Sequence, residues 1–89
     1  MITSRQVRAA RALLGWTQEM LADKALVALT ALKRLESEND LAVREETRHQ
    51  VAKVLEGAGI VFLDSDRGQG VLLVSSSPAD SNKKGEDRA

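Results

Sequence analysis

The 89-residue chain has no cysteine and no tyrosine, a single proline, and only two aromatic side chains, Trp16 and Phe62. Without thiols it can build neither a disulfide framework nor a thiolate metal centre, which suits a reducing compartment and an expected cytoplasmic location. Aromatics make up 2% of the residues against 43% hydrophobic overall, so Ala, Leu and Val must supply the core. No apolar run approaches the ~20 residues needed to cross a bilayer, so no membrane association is expected. The segment before Trp16 carries Arg5, Arg8 and Arg11 but not the apolar stretch of a secretory signal. Charge of one sign is missing as well. Thirteen Lys and Arg balance thirteen Asp and Glu, for a formal net charge of zero. Proteins that live on DNA usually carry a basic excess, because phosphate contacts supply most of their non-specific affinity. Neutrality weighs against that class without excluding it, since a local patch suffices.

What is present reads as one small domain with a modest core. Thr3 and Gln6 stand at capping-box spacing, and Ile2 and Val7 where a hydrophobic staple would hold the chain entry. Val7, Ala10, Leu13 and Leu14 then recur at helical spacing up to Gly15, which predicts a helix over about 4–14. Thr17 is placed to cap a second helix over about 18–25, with Met20, Leu21 and Ala25 inward. A third helix over about 28–36 turns Leu32 and Leu35 inward, and Asn39-Asp40 signals a loop. A fourth, over about 44–57, buries Val51, Val54 and Leu55 and ends at Gly57 or Gly59. The period then changes. Ile60–Leu63 and Val71–Val74 are β-prone runs around Asp64–Gly70, which predicts a hairpin over about 60–74 with a longer loop. An isolated hairpin is marginal in water, so it should dock on the helices or on a second copy. The polar stretch 75–89 is expected to be a disordered tail.

The run from Arg11 to Ala22 resembles the opening of the XRE (Cro/phage-repressor) helix-turn-helix family. Arg11, Gly15, Thr17, Gln18, Leu21, Ala22, Ala25, Val27, Leu32 and Glu36 fall into that family's register without a gap. The resemblance covers about residues 3–58, and the fourth helix plus hairpin resembles small α-proteobacterial members. It implies a mainly α fold: a four-helix XRE-type bundle followed by a C-terminal β-hairpin. It also implies an ion pair between Arg11 and Glu36, tying the first helix to the end of the third. The reading from charge alone is two independent surface groups, which contribute little.

In that family the N-terminal part of the third helix reads base edges in the major groove, which needs hydrogen-bonding side chains. Laid on this chain, the reading positions are Ala28, Leu29, Thr30 and Lys33. Ala28 replaces the usual hydroxyl residue, and Leu29 can donate nothing. Leu26 stands where the family prefers glycine, and a left-handed backbone there costs another residue about 1 kcal/mol or more. Two outcomes are open: the turn relaxes, or the two helices run closer to continuous. Glu38 and Asp40 occupy a stretch where relatives approach phosphate. On a 3.6-residue period Ala28 and Leu29 face outward, which suggests a protein-binding face formed by Leu26, Ala28, Leu29, Thr30 and Lys33. A spoiled reading helix on a chain of this length is similar to the rhizobial antiactivators of the QseM type. That resemblance implies sequestration of a LuxR-type quorum-sensing transcriptional activator. The alternative is a sequence-specific DNA-binding regulator using Gln18, Thr30, Lys33 and Arg34.

His49 reads as a solvated residue of the fourth helix, and Trp16 as filling between the first two helices. Gly68-Gln69-Gly70 is not a phosphate loop, since a strand rather than a helix follows it. No nucleophile–base pair is visible, so the chain is expected not to be an enzyme and to need no cofactor or metal. A free strand edge on the hairpin offers a route to a homodimer.

Overall fold

The computed structural model describes residues 2–37 and 43–74. The expected loop at Asn39-Asp40 and the expected tail 75–89 lie outside the described residues. Four helices and two strands follow in order: α1 (Ser4–Leu14), α2 (Gln18–Ala25), α3 (Leu29–Glu36), α4 (Glu45–Gly57), β1 (Ile60–Ser65) and β2 (Gly68–Leu73). The fold is mainly helical, as the periodicity predicts. The helix bounds fall within one residue of the expected ones.

Local chemistry sets the helix ends. The Thr3 hydroxyl accepts from the Gln6 amide, and the Gln6 side chain accepts from the Thr3 amide, closing the capping box of α1. Ile2 and Val7, the two halves of the expected staple, are both buried. α1 and α2 then end in the same way. Gly15 N–H donates to Ala12 O and Trp16 N–H to Arg11 O; Leu26 N–H donates to Asp23 O and Val27 N–H to Ala22 O. Each pair of bonds is a Schellman motif, which requires a left-handed residue just past the helix. Gly15 supplies it at φ 72°, Leu26 at φ 58°.

The core is aliphatic. Val7, Leu21, Leu32, Val51 and Leu55 are its largest fully enclosed side chains, joined by Ala10, Ala22, Ala25, Leu35 and Ile60. Trp16 and Phe62 only flank it. Two positions on the apolar stripe do not point inward: Leu13 and Met20 are 47% and 41% exposed, whereas Val54 is half-buried against the core. Their spacing is helical, but a short helix that meets neighbours on one narrow stripe leaves flanking apolar positions in water.

Gly59, at φ 106°, turns the chain from α4 into β1, and a Cβ there would stand 3.3 Å from both Leu73 Cδ1 and Val74 O. β1 and β2 pair antiparallel from Ile60↔Leu73 to Ser65↔Gly68. The loop is therefore shorter than the sequence suggests: Asp64 and Ser65 join β1, Gly68–Gly70 join β2, and only Asp66 and Arg67 form the turn. The Ser65 hydroxyl stabilises it by accepting from the Arg67 amide at 3.1 Å. The hairpin docks on the helices, with Ile60, Phe62, Val71 and Leu73 facing the core.

Candidate functional site

At the end of α3 lies a polar knot. Its Glu36 is only 4% exposed. Its carboxylate accepts from Arg11 Nε at 2.8 Å, Arg11 Nη2 at 2.9 Å and Gln18 Nε2 at 3.0 Å. Arg11 Nη1 also donates to Trp16 O at 3.1 Å, and Arg8 donates to Glu36 O. A bidentate pair this well hydrogen-bonded is what a buried carboxylate requires. The bridge from α1 to α3 is thus a structural tie rather than two separate surface charges. The Glu36 hydrogen bond holds the Arg11 guanidinium above its ordinary pKa, with partial burial opposing. The raised value means that the Arg11 guanidinium keeps its charge until far into the alkaline range, so its own half of the pair is not lost as pH rises through neutrality.

Gln18 is consequently turned inward. Of the four residues expected to serve DNA, it alone is committed to an internal contact. Thr30, Lys33 and Arg34 are all exposed, and their i, i+3 and i+4 spacing puts them on one face of α3.

Leu26 is the unusual residue of the surface. Among the described residues it is the only non-glycine with positive φ, and its side chain is 83% exposed. The turn has not relaxed, and α2 and α3 remain separate helices. A leucine here carries backbone strain of about 1–2 kcal/mol and obtains almost no burial in return. Ala28, the N-cap of α3, makes no side-chain cap bond, so one helix-end donor has lost its usual partner.

Leu29 corrects the expected outward face. It is half-buried and packs against the core, so it cannot be the centre of an exposed patch. The structure brings Leu26, Ala28, Thr30 and Lys33 to the exposed side of the turn and α3, and leaves Leu29 behind them. Trp16, half-buried on the core, carries Lys24 Nζ at 5.0 Å from its ring centroid. Glu38 and Asp40 lie outside the described residues. Among the described residues no group of three His, Cys, Asp or Glu side chains could hold a metal, and no helix is long and apolar enough to cross a membrane. Sequence reasoning missed the apolar surface on the far side of the hairpin, where Val61, Leu63, Leu72 and Val74 are 40–52% exposed. The signal was there: the runs 60–63 and 71–74 are apolar at every position, and a hairpin cannot bury both of its faces in a chain with one small core.

A family model described as Helix-turn-helix (HTH_3) matches residues 7–56, more than half of the chain. No curated protein matches it.

Proposed function

The chain belongs to the helix-turn-helix family, and on that premise we propose a transcriptional regulator that works by binding a protein through the turn and outer face of α3. The observation that carries this reading is Leu26, strained in the left-handed region and 83% exposed. Glycine would satisfy the same turn without strain. An apolar side chain held in water at a cost to the fold is better suited to a pocket on a polypeptide than to base edges, which present donors and acceptors. Ala28 extends the apolar surface, and Thr30 and Lys33 form its polar rim. The retirement of Gln18 into the Glu36 knot and the zero net charge support the same reading. In function the chain is then an antiactivator, lowering transcription by sequestering an activator of the LuxR type.

Substituting Leu26→Gly separates stability from function. The variant should melt about 4–8 °C higher if about 1 kcal/mol of strain is released. Its capture of the activator should fall at least about tenfold, as for an anchor residue. Capture that survives unchanged in the more stable variant would sink the proposal. The second reading, direct operator binding, draws on the cationic face of Thr30, Lys33 and Arg34. It expects preference for the chain's own promoter over random duplex, affinity that steepens as salt falls, and little change in Leu26→Gly.

A further inference from the structure

We propose that the outer edge of β2 is a docking site for an extended, acid-tipped segment of a different protein, added as a third strand in the groove beside α1. Val74 N–H donates to Gly59 O at 2.8 Å, so Gly59 and Val74 form a hydrogen-bonded pair of the ladder. Alternation along the register makes Val61–Leu72 and Leu63–Gly70 bonded pairs as well. It turns the backbone N–H and C=O groups of Gln69, Val71 and Leu73 away from β1. These groups have no hydrogen-bond partner among the described residues. Such an edge is a template for another strand.

A groove of about 260 Å³ lies along this edge, lined by Arg5, Gln6 and Ala9 of α1 and by Gln69, Gly70 and Val71 of β2. α1 accompanies β2 in the same direction: the Thr3 hydroxyl meets Gln69 Oε1, and Gln6 Nε2 meets Gly70 O. The two repeats match. Residues four apart on a helix advance about 6 Å along its axis, and alternate residues of a strand advance about 6.6 Å. Arg5, Ala9 and Leu13 therefore step along the groove beside Gln69, Val71 and Leu73. Arg5 is the only charged residue lining the groove, and the Ala9 methyl leaves room in it. Leu13 is 47% exposed. A strand laid on the edge sets its alternate side chains against these three in order: a carboxylate at Arg5, an apolar group over Ala9 and another against Leu13. Main-chain bonds supply affinity and the alternate side chains supply selectivity. Residues 75–89 of this chain are poor occupants, since they contain no β-branched or aromatic residue. β2 of a second copy carries no acid to meet Arg5. The occupant is therefore another protein, on a surface separate from the one assigned to α3.

The probe is the acetylated and amidated peptide Glu-Thr-Val-Thr-Val-Thr-Glu, whose side chains follow the same order from either end and so serve a parallel or an antiparallel strand. Amide hydrogen exchange of the full chain should be fast at Gln69, Val71 and Leu73 and slow at Gly70 and Leu72. The peptide should slow the first three selectively. The same peptide with Lys for both Glu should bind at least about tenfold more weakly. Leu13→Lys, at an exposed helix position, should weaken binding at least about fivefold with the melting temperature unchanged. A peptide that leaves Val71 and Leu73 exchanging as before overturns the proposal. So does equal binding of the Lys peptide, or unchanged binding by Leu13→Lys. Protection of these amides that grows with protein concentration in the absence of peptide also overturns it, by placing a second copy on the edge.

Discussion

The Gln6 carboxamide uses both of its ends. Oε1 accepts from the Thr3 amide at 3.1 Å, while Nε2 donates to Leu63 O at 2.9 Å and Gly70 O at 3.0 Å. One buried side chain therefore starts α1 and clasps the hairpin to it, assisted by the Thr3 hydroxyl donating to Gln69 Oε1 at 3.3 Å. Gln6→Glu isolates the second role. A carboxylate keeps the acceptor for the cap, loses both donors and sets an oxygen against two carbonyls. The expected loss is about 2 kcal/mol, concentrated in the hairpin. Hydrogen exchange should speed up at β1 and β2 amides before it does in α1. Protection lost evenly over the chain would contradict the clasp. The capping partnership was readable from spacing. The clasp was not, because nothing local to Gln6 announces a strand 57 residues away.

α2 and α3 meet at a junction where both customary residues have been replaced. Leu26 takes the place of a glycine and Ala28 that of a hydroxyl cap. Each replacement weakens the local instruction for a turn, yet the turn persists. The packing of Leu21, Ala22 and Ala25 on one side and Leu32 and Leu35 on the other fixes where both helices must run. Tertiary burial thus overrides a poor local signal. Ala28→Ser restores the missing acceptor at a residue that already holds an N-cap backbone, φ −67° and ψ 142°. It should raise stability by about 1 kcal/mol, checked as a shift in the urea midpoint with an unchanged m-value. Failure to stabilise would mean that the α3 donors are already satisfied by water at no cost.

Across the molecule, one ion pair joins the beginning of the domain to the end of α3. Arg11 and Glu36 are 25 positions apart, and the carboxylate sits where water cannot compensate for the loss of its partner. Arg11→Met should destabilise the fold by about 3–5 kcal/mol, whereas Arg11→Met with Glu36→Leu should recover much of that, since an apolar replacement of a buried pair is often close to neutral. A double-mutant cycle by urea unfolding measures the coupling. Additive losses would show the two charges acting independently. In a small domain with an all-aliphatic core, a loss of that size is a large share of the total stability.

The sequence by itself determined the elements: caps, glycines and apolar spacing are local, and they located all four helices to within a residue and the hairpin by its change of period. It also located the α1–α3 tie, through family register. What only the tertiary structure decided is which apolar residues are inside. Leu13 and Met20 share a periodicity with the core yet are exposed, while Leu29, which the period turns outward, packs against it; each outcome depends on how wide a stripe the neighbouring helices cover. Leu26 could be known as a misfit from its position, yet whether the turn would yield or hold depended on packing on both sides of it. The two faces of the hairpin are equally apolar in sequence; only docking on the helices makes one of them core and leaves the other in water.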